Sequence, residues 1–226
     1  MSGVACTVLV VAKAPVAGLA KTRLAASVGP EAAADLASAA LLDTLDAVRG
    51  VDATAHVVAL TGDLARAHRA EELVALLADF VVLAQRGHGL DERLAAAHAD
   101  AGAVAPGPVL QIGMDTPQVT SELLAASASS LAGPDVRGVL GPATDGGWWA
   151  LGLTDPASAA FLRGIPMSQP DTGARTLAGR ERAVGTVVQL PELRDVDTVD
   201  DLGPVAALQP AGSRFRRAVE LHGLAP

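Results

Sequence analysis

Residues 4–24 read VACTVLVVAKAPVAGLAKTRL, and the fold class follows from the change of character at Lys13. From Val4 to Ala12 the run is almost wholly apolar and rich in β-branched residues, the pattern of a strand covered on both faces. Such strands belong to parallel sheets flanked by helices. The loop that follows is of another kind. Pro15 fixes φ, and Gly18 permits a positive φ or the close approach of a ligand. Lys13, Lys21 and Arg23, with Thr22 between the last two, gather positive charge beside backbone N–H groups. Lys13 and Lys21 are the only lysines among 17 basic residues. Compact ammonium charges in one loop suit the phosphates of a nucleotide, although a solvated basic turn accounts for the same letters. The spacing matches neither GxxxxGK[ST] nor GxGxxG.

Beyond Leu24, short apolar runs alternate with longer amphipathic stretches, as in βα units around a largely parallel sheet. The pattern predicts strands over 4–12, 54–60, 80–84, 108–112 and 136–140. It predicts helices over 30–48, 64–78, 90–101 and 120–131, with Thr61 and Thr120 among their opening residues. Further along come a strand over 148–153, a short helix over 155–163, a strand over 186–190, and helices over 199–208 and 213–222. The expected fold is a single α/β, Rossmann-like domain over 1–226, a mostly parallel mixed sheet with helices on both faces. Its core is expected over 4–202 and a helical tail over 203–226.

Half of the 226 residues are apolar, 19% are charged and the net charge is −8. That balance excludes intrinsic disorder. Acidity, with three Phe, two Trp and no Tyr, argues against a nucleic-acid partner, which calls for basic surface and stacking aromatics. No apolar run approaches the roughly 18 residues of a membrane span, and the N-terminus lacks the basic opening of a secretory signal. A cytoplasmic location with no membrane partner is therefore expected. The lone Cys6 is expected in the core, which leaves neither an internal disulfide nor a Cys-based metal site.

In open α/β sheets ligands bind at the carboxyl ends of the strands, so the loops after strands carry the chemistry. PVLQIGMDTP at 108–117 delivers Gly113 and then Asp115, a hard oxygen ligand for Mg²⁺ or Mn²⁺, or a turn cap. GPATDGGWWALGL at 141–153 sets Asp145 before Gly146 and Gly147 and the only two tryptophans. Adjacent strand residues face opposite ways, so of Trp148 and Trp149 one is expected to border a pocket. The glycines would let backbone approach a sugar or phosphate, and Asp145 could accept from sugar hydroxyls or supply another metal oxygen; a tight Asp-Gly turn explains the same letters. In LRDVDTVDDL at 193–202, Asp195 and Asp197 share a face if extended, and Thr198 with Asp201 resembles a capping box. Asp197 is a second metal candidate. In QRGHGLDERL at 85–94, Gln85, Gly87 and Arg93 flank a turn into a helix and could read a base or substrate, while His88 reads as a solvated loop residue.

Taken in order, these residues resemble a bacterial GT-A-like family of the nucleotide-diphospho-sugar transferase superfamily. It was long catalogued as a domain of unknown function and is often described as glycosyltransferases of the arsenosugar-biosynthesis type. The resemblance runs from about Val8 to Leu202. It rests on Lys13, Pro15, Gly18, Lys21, Thr22, Arg23 and Leu24; on Gln85, Gly87, Leu90 and Arg93; and on Gly113, Asp115 and Pro117. Gly141, Pro142, Asp145, Gly146 and Gly147, then Ser168, and finally Asp195, Asp197 and Thr198 complete it. The chain departs from the family at Met114, usually a small residue, and at Met167, usually Trp. A typical GT-A enzyme also has a D-x-D motif where this chain offers only Asp115. A single Asp there resembles nucleotidyltransferases of the same superfamily, such as 2-phospholactate guanylyltransferases, whose first loop carries a similar KTRL-like run.

The resemblance implies a metal-dependent transferase using a nucleotide-activated sugar. Lys13, Lys21 and Arg23 would meet the diphosphate, Asp115 and Asp197 would hold Mg²⁺ or Mn²⁺, and Asp145 would act toward the donor sugar or a small-molecule acceptor. Gly146, Gly147, Trp148 and Ser168 would line the substrate side. The alternatives are a nucleotidyltransferase, in which a phosphorylated small molecule attacks a nucleoside triphosphate with release of pyrophosphate, and a non-catalytic nucleotide-binding module.

Overall fold

The computed structural model describes residues 4–184 and 186–224. Among them, seven strands form one sheet: β1 (Val4–Lys13), β2 (Ala53–Thr61), β3 (Val81–Ala84), β4 (Val109–Ile112), β5 (Gly138–Pro142), β6 (Trp148–Leu153) and β7 (Val187–Gln189). Their order is β3-β2-β1-β4-β6-β5-β7. β6 runs antiparallel to both its neighbours, and every other pairing is parallel. The helices are α1 (Thr22–Val28), α2 (Pro30–Arg49), α3 (Ala70–Leu77), α4 (Leu90–Val104), α5 (Ser121–Ser129), α6 (Thr172–Val184), α7 (Val199–Ala207) and α8 (Arg214–Leu221).

β1 shows why its sequence is apolar throughout. Cys6, Val8, Val10 and Ala12 pack on one face with Leu41 and Leu45 of α2 and Leu124 of α5. Leu9 packs on the other with Ala97 and Ala101 of α4. Helices thus cover both faces, as a strand-by-strand period of two requires. Burial pushes the Cys6 thiol up to about 12, so it behaves as a small apolar residue. The chain leaves β1 to build β2 and β3 on one side, then returns through α4 to lay β4 on the other. The direction of winding reverses between β1 and β4, which makes their carboxyl ends the switch point where such folds bind ligands.

A second apolar cluster closes the lower side of that region. Leu24 of α1, Leu36 of α2, Val196, Leu202 of α7, and Phe215 and Val219 of α8 are all buried together. Arg214 reinforces it through Asp43 and Asp46 of α2. The segment before α7 is thereby pressed against the sheet, with the Val196 N–H donating to the Asp115 carbonyl at 2.9 Å.

Several elements differ from the sequence expectation. The helix expected over 64–78 is divided into a 3₁₀ turn at Leu64–Arg66 and α3, because His68 donates from its backbone to the Pro15 carbonyl and Arg69, at φ 52°, reaches Asp35. Thr61 ends β2 instead of opening a helix, and the Asp63 side chain caps the 3₁₀ turn. Thr120 caps α5 as expected, accepting from the Leu123 N–H. The helix expected over 120–131 ends as α5 plus a 3₁₀ turn at Ser130–Ala132, and that over 155–163 is wholly 3₁₀, Pro156–Leu162. Two helices were not anticipated. α1 begins at Thr22, within the stretch read as a loop, and runs on to Val28, and α6 carries two glycines in a stretch too polar to show a stripe. No helix among the described residues is long and apolar enough to cross a membrane.

Candidate active site

The switch point gathers charge of both signs. Lys21 precedes α1 in a left-handed conformation (φ 46°, ψ 50°), which non-glycine residues adopt only when the surroundings enforce it. Its ammonium donates to Asp115 Oδ2 at 2.7 Å and Asp197 Oδ1 at 2.5 Å, and its side chain is only 13% exposed. Burial alone would lower its pKa; the two carboxylates outweigh burial and push it up. Arg23, on the first turn of α1, lies 3.7 Å from Asp197 with most of its side chain in solvent.

Asp115, Asp195 and Asp197 each present one carboxylate oxygen, all within 4.8 Å of one another. The fold explains how residues so far apart in sequence meet. Val196 is locked into the α1/α2/α8 cluster, so its neighbours on either side face the cleft. Burial, followed by the charges of Asp115, Asp145 and Asp197, pushes the Asp195 carboxyl up to about 7. Three acids against Lys21 and a largely exposed Arg23 leave negative charge in excess. Hard oxygen donors with excess negative charge fit Mg²⁺ or Mn²⁺.

The acids divide one cleft into two parts. A basic pocket of about 430 Å³ is lined by Lys13, Lys21, Thr22, Arg23 and Ser168. A slot of about 240 Å³ is lined by Leu94, Gln111, Asp145, Trp148, Met167 and Thr172. Asp115, Asp197 and Ser168 border both. Ser168, like Lys21, holds a positive φ, 56°. Lys13 is tethered at the mouth: its ammonium donates to the Leu19 carbonyl at 2.6 Å and its N–H to Met114 Sδ at 3.2 Å. Trp149 is buried, its indole N–H donating to the Pro191 carbonyl at 2.9 Å, while Trp148 is half-buried at the slot.

Other expected site residues serve the chain itself. Gln85 is not brought to the cleft; its amide donates to the carbonyls of Ala12 and Ala59 at the ends of β1 and β2. Arg93 likewise stays outside, its Nε donating to the Gly87 carbonyl. Pro15 is buried, and Gly18 uses its positive φ in an exposed turn beside the basic pocket. Gly146 lies outside the cleft lining: at φ 88°, its close approach is to Pro170, whose carbonyl a Cβ would overlap. Gly147 lines the slot, and its N–H donates to Asp145 Oδ1 at 2.7 Å. The sequence singles out Asp197 as a metal candidate and not Asp195; their i, i+2 relation is visible in the chain, whereas the proximity of Asp195 to Asp115 needs the fold.

Fold and site define an α/β domain that shares its fold with nucleotide-diphospho-sugar transferase-like and cytidylyltransferase structures and sets an acidic cluster against a basic loop. The chain belongs to the family described as "Uncharacterized protein conserved in bacteria (DUF2064)", whose model matches residues 44–169. It is similar to a protein from Desulfovibrio desulfuricans G20 provisionally described as a nucleotide-diphospho-sugar transferase. The two share 28% identity over 97% of this chain and 96% of the other, with a TM-score of 0.83. The fold is also similar to that of CMP:2-keto-3-deoxy-manno-octonic acid synthetase in complex with CTP (12% identity, 90% and 98% coverage, TM-score 0.54). It is similar, too, to that of the manganese complex of Rv0371c from Mycobacterium tuberculosis H37Rv (21% identity, 97% and 100% coverage, TM-score 0.50). No curated protein matches the chain.

Proposed function

We propose that the chain is a metal-dependent transferase that takes a nucleotide-activated sugar and releases a nucleoside diphosphate. The observation that carries this reading is the convergence of Lys21 with Asp115, Asp195 and Asp197 between a basic pocket and a narrow slot. The three acids would hold Mg²⁺ or Mn²⁺, which supplies neutralisation of the departing diphosphate. The manganese complex of a protein of similar fold supports that choice of ion.

The chain's own residues do the rest. Lys13, Lys21 and Arg23 bind the phosphates in the basic pocket, while the slot positions the sugar against Trp148 and Ser168. Asp145 takes the proton from an acceptor hydroxyl as its oxygen bonds to the sugar's anomeric carbon and the bond to the diphosphate breaks. Catalysis of this kind is chiefly positioning and charge stabilisation.

A second reading, nucleotidyl transfer with release of pyrophosphate, is motivated by the lone acid after β4 and by the fold shared with a synthetase that binds CTP. The experiment is one incubation series with Mn²⁺: glucose conjugates of UDP, GDP, ADP and dTDP assayed for nucleoside diphosphate, and the nucleoside triphosphates with sugar phosphates assayed for pyrophosphate. Diphosphate release lost in Asp115→Ala supports the first reading, and pyrophosphate release the second. Nucleotide binding without either product would leave a non-catalytic nucleotide-binding module.

A further inference from the structure

We propose that Leu19 and Leu90 form a nucleobase clamp in the basic pocket, two aliphatic side chains that take between them the ring of the nucleotide whose phosphates Lys21 and Arg23 bind. The inference rests on the transferase reading above. Both leucines line that pocket. They are 52% and 46% exposed, among the few large apolar side chains that the fold leaves in solvent. A single exposed leucine is ordinary, but a pair on the walls of one charged pocket is what a ligand groove presents.

Local structure holds both in place. The Leu19 N–H donates to the Val16 carbonyl at 2.9 Å and the Leu19 carbonyl accepts from the Lys13 ammonium at 2.6 Å, while Gly18 turns the chain at φ 75°. The backbone of Leu19 is thus fixed on both sides, yet its side chain stays outside the core. Leu90 is the first residue of α4, with Gly89 at the N-cap. One turn on, Leu94 lies on the same helix face and is buried in the slot wall with Leu151 and Leu153. Leu90 carries this apolar stripe out of the slot and into the basic pocket, and it borders both.

Size and chemistry narrow the ligand. At about 430 Å³ the basic pocket falls within the roughly 300–1,000 Å³ of sites that enclose a whole small molecule, more room than two phosphates fill. Its charged groups lie together: Lys21 bonds Asp115 and Asp197, and Arg23 is 3.7 Å from Asp197. The glycosyl group is assigned to the slot, so the nucleoside is the part of the donor that remains to be placed. A planar base has apolar faces, and pressing them against Leu19 and Leu90 takes apolar surface of both partners out of water.

The test compares wild type with the double variant Leu19→Ala/Leu90→Ala, and with Leu221→Ala, an exposed leucine of α8 that lines neither part of the cleft. All three side chains are exposed, so the substitutions leave stability nearly unchanged and binding can be compared directly. Calorimetric titration in Mn²⁺ uses UDP, GDP, ADP and dTDP, with inorganic pyrophosphate as the base-free probe. The nucleoside diphosphate that binds wild type should bind the double variant about 3- to 10-fold more weakly. Pyrophosphate should bind the double variant as it binds wild type, and Leu221→Ala should match wild type throughout. Equal weakening of nucleotide and pyrophosphate would overturn the clamp alone, by showing that the leucines only shape the phosphate loop; no weakening of either would overturn it as well. If no nucleoside diphosphate binds wild type, the transferase reading itself fails and takes the clamp with it.

Discussion

The Lys21 ammonium lies 2.7 Å from Asp115 Oδ2, joining the loop after β1 to the loop after β4 across the switch point of the sheet. With its second contact to Asp197, Lys21 occupies the place of a countercation among acids that would otherwise repel one another.

Lys21→Met removes a competitor for those oxygens and leaves the acids with one more unit of uncompensated charge. Mn²⁺ affinity in the absence of nucleotide is expected to rise, while phosphate-bearing ligands bind more weakly. Without metal the variant should lose about 1–2 kcal/mol, less than the roughly 3–5 of a fully buried pair because the acids remain about one-third exposed. Calorimetric titration with Mn²⁺, with and without nucleotide, and urea melts in chelator check all three effects.

Asp195 supplies a pH dependence of definite sign. Its folded-state pKa, raised by burial and the neighbouring acids to about 7, exceeds the ordinary carboxylate value, so the folded protein binds more protons than the unfolded chain between about pH 4 and 7. Stability of metal-free protein should therefore fall as pH rises through that window. Metal binding should release a proton at pH 6 and little at pH 8. Melting of wild type and Asp195→Asn in chelator across this range reads the difference; the variant's profile should be flatter.

Asp35 has the opposite sign. Burial alone would raise its pKa, but hydrogen bonds from Arg69 and His222 outweigh it and hold the carboxyl below its usual value. The stabilisation is complete above the unfolded value near 4 and lost as pH falls through the lower folded one. Because Asp35 of α2 holds His222 at the end of α8, acid should loosen the C-terminal helices first. Hydrogen exchange of α8 at pH 3 against pH 6 checks this, with Asp35→Asn removing the difference.

Gly146→Ala should destabilise by at least about 2 kcal/mol, from a positive φ and a Cβ that would overlap the Pro170 carbonyl. The melting temperature is expected to drop by about 4–8 °C. An unchanged value would mean that the turn does not anchor the start of α6, to which Gly146 is tied by a 2.8 Å hydrogen bond from Gly173.

The sheet was legible because its strands announce themselves: β1 as an unbroken apolar run, and β6 bounded by the Asp-Gly turn and its tryptophans. The breaks in helices were not. The division at Arg69 comes from a carboxylate on another helix, Asp35, and a backbone acceptor in the first loop, neither of which local propensity carries. At the site, Lys21, Asp115 and Asp197 could be singled out by residue type and by position after a strand. Asp195 needed the packing of Val196 to fix which way its neighbours face. Gln85 and Gly146 looked functional for sound chemical reasons, but an amide and a bare backbone satisfy their own chain as readily as a ligand.

Titration of Mn²⁺ into wild type and Asp115→Ala at pH 7.5, followed by calorimetry, tests most directly whether the acids around Lys21 form a metal centre. One site in the wild type, weakened by at least about tenfold in the variant, is the expected result. Equal Mn²⁺ affinity in the two proteins would contradict it and leave the cluster a structural ion pair.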